Sequence, residues 1–316
     1  MCQNIKIIHA YTKSVVYFYL EVIFLELRVL KYFLTVAREE NITRAAKILH
    51  ITQPTLSRQL MQLEEELDTT LFIRGKSHIT LTDEGMLLRK RAEELVELAE
   101  KTEKEFLKKD DLVVGEIFIG GGETNAMHLV AKVMKEFHQE YPQVKYKVYS
   151  GNADDVQERL DKGLLDIGLL TEPVNIEKYD FMRLPQKDRW GILLRSDDPL
   201  VEKGYVEPKD LANKSIMCST RSLVQNELAS WFGKYFEDID LIATYNLIYN
   251  ASVMAQEGIG YAICLEKLIQ TDSHSSLTFL PFYPAMETGV VIVWKKHQIF
   301  SKATSKFLEK LQKTYK

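Results

Sequence analysis

The chain has 316 residues, 46% of them hydrophobic and 27% charged, which is enough to bury the cores of two or three domains and excludes wholesale disorder. Its net charge of −4 argues against a uniformly basic nucleic-acid coat, so any positive surface has to be local. The three cysteines, Cys2, Cys218 and Cys264, lack C-x-x-C spacing and companion histidines, which excludes a disulfide framework or zinc site and fits a reducing, cytoplasmic setting.

In chain order, residues 15–25 are apolar but short and interrupted by Glu21, well below the roughly 20 residues a membrane-spanning helix needs, so no membrane partner is expected. No small-residue cleavage site follows them. Residues 27–38 read as a helix with Leu27, Leu30, Phe33, Leu34 and Ala37 on its apolar side. Residues 43–67, TRAAKILHITQPTLSRQLMQLEEEL, describe two short helices packed at a steep angle. Ala45, Ala46 and Leu49 place small side chains where a second helix comes close, and Ile51 plugs the turn. Thr52 caps the next helix, Pro54 tolerates its missing N–H there, and Leu56, Leu60, Leu63 and Leu67 form one buried stripe. The opposite face carries Gln53, Thr55, Ser57, Arg58 and Gln62, groups of the kinds that read base edges and grip phosphates in a major groove.

Two short strands around the turn-like Gly75-Lys76-Ser77-His78 then make a β-ribbon with Arg74 and Lys76 at its tip, a wing beside the recognition helix. From residue 27 to 58 the cations Arg28, Lys31, Arg38, Arg44, Lys47 and Arg58 face only Glu39 and Glu40, which supplies the local positive footprint for double-stranded DNA. The candidate DNA-binding set is Thr43, Thr52, Gln53, Pro54, Thr55, Ser57, Arg58, Gln62, Arg74 and Lys76, within a domain at 26–82. The acidic Glu64, Glu65, Glu66 and Asp68 read as a solvated or interdomain face.

Residues 83–111 form a linker helix ending in a charged hinge at 108–111; Leu88, Ala92, Leu95, Ala99, Thr102 and Phe106 repeat as the a/d seam of an antiparallel coiled coil, so a dimer is expected, the alternative being a single helix lying on its own domain. Two-fold symmetry then calls for an inverted-repeat operator. From residue 115 strands alternate with helices, which specifies parallel sheet in two α/β lobes. Lobe I is expected at 115–185 and 285–316 and lobe II at 186–284, with chain crossings near Pro185 and near 281–288. The fold class is therefore α/β with an N-terminal all-α winged helix-turn-helix, a long linker helix and a two-lobed, periplasmic-binding-protein-like effector domain. Where strand ends meet helix starts, free N–H groups hold anions or polar ligands. Gly122, Glu123, Thr124, Asn125, Ser150, Ser219, Thr220 and Arg221 occupy such loops and suit a small acidic effector, although plain helix capping accounts for any one of them.

From residue 26 onward this order of elements, with the block ITRAAKILHITQPTLSRQLMQLEEELDTTLFIR, resembles the LysR-type transcriptional regulators. The resemblance implies DNA contacts at Gln53, Pro54, Thr55, Ser57, Arg58 and Arg74, and inducer contacts at Thr124, Ser150, Ser219 and Thr220. It also implies a dimer of dimers and contact with RNA polymerase. Met61 stands where many members carry a base, and Glu123 and Asn125 replace the more usual hydroxyl and apolar residues. One branch of the family senses oxidants through cysteines, which would give Cys218 or Cys264 a regulatory role; two buried hydrophobes are the plainer reading. Because members begin just before the Glu26-Leu27-Arg28 of the first helix, residues 1–25 are expected to be a non-native extension, with Leu25 marking a non-AUG start.

An enzyme or a solute-binding protein using the α/β half, with the helical N-terminus as an oligomerisation module, is the alternative. Gly120-Gly121-Gly122 hints at a nucleotide loop, but the fingerprint would need glycine at Asn125 and no P-loop occurs. The seven histidines form no catalytic or metal constellation, so no catalytic residue, metal or cofactor is expected.

Overall fold

The computed structural model describes residues 25–75, 79–106, 113–272 and 274–315, and the chain separates into two compact units, 1–103 and 104–316. The expected extension before residue 25, Lys76, the 108–111 hinge and the Phe106 side chain lie outside what is described. Among the described residues no helix is long and apolar enough to cross a membrane.

In the first unit, helices α1 (Leu27–Glu39), α2 (Ile42–Ile48) and α3 (Gln53–Glu66) precede the antiparallel ribbon of β1 (Phe72–Arg74) and β2 (Ile79–Leu81), and α4 (Asp83–Phe106) closes it. Helix α1 buries Val29, Leu30, Phe33 and Val36, a stripe rotated from the expected one, and leaves Leu27 exposed. Ala45 and Ala46 are buried where α2 meets its neighbours, and Leu56, Leu60 and Leu63 of α3 complete the core with Leu71 and Phe72. The Phe33 and Phe72 rings lie 5.2 Å apart at its centre. Asn41 caps α2 by accepting from the Arg44 N–H at 2.9 Å, and Thr52 caps α3 from the Thr55 N–H at 3.4 Å. Gly85 opens α4 because a Cβ there would sit 2.2 Å from the Leu71 carbonyl oxygen.

Helix α4 corrects the expected seam. Ala92 is wholly buried in the winged core and Leu88 packs against it, so these two positions are consumed inside the protomer. Leu95 is exposed, as are Leu87 and Leu98 on the adjoining stripe, and Thr102 is exposed with its hydroxyl donating to the Leu98 carbonyl at 2.8 Å. The cause is geometric: the first turns of α4 must cover the aromatic core below them, and one narrow stripe cannot cover a domain and a twin helix at once.

The second unit is built on a sheet whose strands lie in the order β4 (Val144–Ser150), β3 (Gly115–Gly121), β5 (Ile167–Thr171), β11 (Glu287–Lys295), β6 (Tyr179–Arg195), β9 (Tyr261–Leu265), β7 (Ser215–Ser219) and β8 (Asp240–Tyr245), with β10 (Leu277–Pro281) also paired to β6. Lobe I stacks β3 (Gly115–Gly121), β4 (Val144–Ser150) and β5 (Ile167–Thr171) in parallel, with α5 (Met127–Glu140), α6 (Ala153–Asp161) and the closing α9 (Lys302–Tyr315) against them. Lobe II does the same with β7 (Ser215–Ser219), β8 (Asp240–Tyr245), β9 (Tyr261–Leu265), α7 (Ser222–Phe232) and α8 (Ile248–Gln256). Phe137 and Phe307 anchor the core of one lobe, Phe232 and Trp190 that of the other.

The lobes are joined by two long antiparallel strands, β6 (Tyr179–Arg195) and β11 (Glu287–Lys295). Pro185, near which a chain crossing is expected, lies inside β6, the strand that runs between the lobes. It falls where the pairing register slips between Gly289 and Val291, so its missing N–H removes no ladder bond.

Candidate functional site

The solvent face of α3 is built by elimination. Its leucines are fixed in the core, so Gln53, Pro54, Thr55, Arg58 and Gln62 stand exposed on the other side, with Ser57 half-buried between them. Gln53 donates to the Ser57 hydroxyl at 2.8 Å, the Thr52 and Thr55 hydroxyls lie 2.8 Å apart, and Gln62 donates to Glu66 at 2.8 Å. Among the described residues no acceptor pairs with Arg58, which leaves its five donors available. Thr43 is exposed on α2. Together these present hydrogen-bonding groups at the start of an exposed helix, the arrangement that reads base edges.

The wing is tied to this helix by a residue that composition hid. Glu64 accepts from the Leu71 N–H at 2.8 Å, the Phe72 N–H at 3.2 Å and the Arg74 guanidinium at 3.2 Å. A half-buried carboxylate thus joins the end of α3 to the first wing strand and fixes where Arg74 stands. The cluster of neighbouring acids concealed it, and only its distance from the strand in three dimensions sets it apart. Glu64→Ala should lower winged-unit stability by about 1–2 kcal/mol through loss of charged hydrogen bonds; a thermal melt of the variant that overlays the native curve would refute the clamp.

In the second unit a cavity of about 70 Å³ lies between the lobes, lined among others by Gly122, Glu123, Asn152, Thr171, Trp190, Ser219, Arg221, Tyr245, Ile248 and Cys264. Four of the expected residues, Gly122, Glu123, Ser219 and Arg221, meet there. The other four do not line it. The Thr124 hydroxyl is buried, donating to the Asp188 carboxylate and accepting from the Ala126 N–H at 3.1 Å. Asn125 sits one residue beyond it, short of the helix. Ser150 ends the edge strand β4 exposed to solvent, and exposed Thr220 donates its backbone N–H to Tyr245 at 2.9 Å.

Asn152 belongs to the loop 150–152 that opens the second helix of lobe I, a place where a ligand-holding loop is expected, whereas Trp190 and Tyr245 were not foreseen. Asn152 caps α6 through the Asp154 and Asp155 N–H groups at 2.8 and 3.1 Å, so a turn signal marked its place. Tyr245 donates to the Ile263 carbonyl, and its burial pushes the phenol well above its ordinary range. Nothing local distinguished Trp190 from a core tryptophan.

Charge crosses the cleft. Arg221 of lobe II, almost wholly buried, donates to Pro173 O at 2.7 Å, Asp154 Oδ1 at 3.3 Å and Thr171 O at 3.5 Å, all in lobe I. Glu123 of lobe I accepts from the Ile248 backbone N–H of lobe II. Burial pushes the Cys218 thiol up to about 11 and the Cys264 thiol to about 12, so both stay protonated at neutral pH. Both should therefore resist iodoacetamide at pH 8 in the native protein; rapid alkylation of either, read by mass spectrometry, would reinstate a thiol switch.

Residues 27–86 match the family model of bacterial regulatory helix-turn-helix proteins of the lysR family, and residues 110–316 match that of the LysR substrate binding domain. The chain is similar to the uncharacterized HTH-type transcriptional regulator YvbU of Bacillus subtilis (strain 168), 29% identical over 238 residues that span 75% of this chain and 80% of that one. YwqM of the same strain, an uncharacterized HTH-type transcriptional regulator, is 27% identical over 300 residues, 92% of this chain and 100% of the relative. Full-length CbnR complexed with its target DNA superposes at a TM-score of 0.69 and 18% identity, over 92% of this chain and 100% of that one, a likeness of fold. With both halves matched in order, the chain belongs to the LysR family: it is a transcriptional regulator with a DNA-binding helix-turn-helix and an effector-binding α/β domain.

Proposed function

We propose that the protein binds an inverted-repeat operator through two winged units, reading bases with Gln53, Thr55, Arg58 and Gln62 and gripping phosphates with Thr43, Thr52, Ser57, Arg74 and Lys76. The observation that carries this is α3, whose exposed start presents hydrogen-bonding side chains, Arg58 without a partner among the described residues, beside a wing held by Glu64. Pro54 sets the first turn of that helix. Dimers form through α4, along the exposed Leu87, Leu95 and Leu98 together with Ala99 and Thr102. Dimers pair into tetramers, RNA polymerase is a partner, and the protein works in the cytoplasm without catalytic turnover.

The division of labour follows the chain: residues 26–82 read DNA, 83–111 dimerise, and 115–316 hold a small effector at Gly122, Glu123, Ser219 and Arg221. Effector binding favours one lobe arrangement and so changes how the winged units meet the operator. DNase I footprinting on DNA from upstream of its own gene tests the reading. It predicts two protected half-sites about one helical turn apart, or a multiple of that. Protection of a single site without symmetry would overturn the dimeric operator.

A further inference from the structure

Two side chains cross the interlobe cleft in opposite directions. Glu123, in the loop between β3 and α5, reaches from lobe I to the N–H of Ile248, the first residue of α8. That helix has no cap of its own, since Leu247 stands at its N-cap without a side-chain acceptor. Glu123 therefore does across the cleft what an Asp does from the N-cap of its own helix: it satisfies an orphan donor and places negative charge at the positive end of a helix. Arg221 returns from lobe II and ends on Asp154, Thr171 O and Pro173 O of lobe I. The cavity left beside them, about 70 Å³, has room for a few waters and falls short of the several hundred Å³ typical of metabolite sites. Trp190 lines it and is buried, yet its indole N–H has no acceptor.

We propose that Glu123 and Arg221 are a built-in latch that holds the two lobes shut when no effector is bound. Glu123 occupies the acceptor position that the effector must take. The effector is then a molecule bearing an oxyanion, a carboxylate or a phosphate, that displaces Glu123 from the Ile248 N–H. Its binding opens the latch, so the closed cleft is the effector-free state. The apparent affinity for such an anion is lowered by the fraction of molecules that remain latched. This rests on the reading of the cleft as the effector site, and it adds what holds that site closed.

The test uses the full-length protein in a Trp231→Phe, Trp294→Phe background, which leaves Trp190 as the sole tryptophan, excited selectively over the tyrosines. Hydrogen exchange at the first turn of α8 and acrylamide quenching of Trp190 are read for native Glu123, Glu123→Ala and Glu123→Gln. Glu123→Ala should exchange at least tenfold faster at Ile248 and quench more strongly. Glu123→Gln should keep its protection, because the amide oxygen still accepts. Acetate at fixed ionic strength should restore protection in Glu123→Ala while leaving the native latch unaltered. Equal exchange and equal quenching in Glu123→Ala and the native protein would overturn the latch.

Gly122→Leu separates this from the underlying reading, since a side chain there fills the cavity and its Cβ meets Gly151 O at an ordinary 3.5 Å. If Glu123→Ala unlatches while Gly122→Leu leaves the response of a reporter on the upstream region intact, Glu123 does hold the lobes shut, but the cleft is not the effector site and displacement of Glu123 by the effector is overturned. If Glu123→Ala changes nothing while Gly122→Leu abolishes the response, the site stands and the latch falls.

Discussion

Phe33→Ala should destabilise the winged unit by about 3–5 kcal/mol, a large share of the stability of a domain this size. Phe33 is wholly buried, packs against Phe72 at 5.2 Å and lies among Leu30, Leu56, Leu60 and Ala92. Truncation empties part of the core to which α3, the wing and α4 all contribute, and these surroundings cannot collapse without moving the recognition helix. Phe33→Leu keeps most of the volume and should cost less than about 1.5 kcal/mol, which separates packing from a general intolerance of change. Urea unfolding followed by circular dichroism measures both. A loss below 1 kcal/mol for the alanine variant would mean that the three elements do not share one core.

Arg58→Ala should weaken operator binding by about 1–3 kcal/mol, roughly a five- to 150-fold loss, and relax base preference at the position it reads. Arg58 follows Pro54 by one turn of α3, is exposed, and is held by no acidic neighbour among the described residues. A guanidinium not neutralised by its own protein gives up no ion pair when it meets a guanine edge or a phosphate. Competition between operator variants separates the two targets: a base contact changes the sequence preference, whereas a phosphate contact lowers all affinities alike and reduces the salt slope by about one. Unchanged affinity and footprint would remove Arg58 from the readout.

The helix-turn-helix was legible because its signals are local. Ala45 and Ala46, the Thr52 cap, Pro54 and the leucines of α3 each specify structure within a few residues, and the winged unit has them where their spacing requires. The rotated stripe of α1 shows the limit. Leu30 and Phe33 belong to two overlapping helical faces, and only contact with the other helices selects Val29 and Val36 over Leu27 and Ala37. The same applies to α4, where a heptad pattern cannot say whether Ala92 faces its own domain or a twin.

In the α/β half the alternation of elements specified the lobes, and Pro185 pointed to a chain crossing, but the register slip opposite it could not be read because it is a property of two strands together. The cleft was half visible. Glu123, Ser219 and Arg221 announced themselves as polar loop residues at helix starts, but so did Thr124, whose hydroxyl is turned to Asp188 some sixty residues away. Glu64 was hidden in plain acidic company until the Leu71 and Phe72 N–H groups came within reach.

The most direct test of the central claim is fluorescence anisotropy of the full-length protein on a duplex from its own upstream region, against a scrambled duplex of equal length, across a salt series. The account predicts binding by a dimer or larger assembly, at least a thousandfold preference for the native sequence, and an affinity that falls steeply and log-linearly with salt. A monomer that binds both duplexes equally, or neither at low ionic strength, would contradict it.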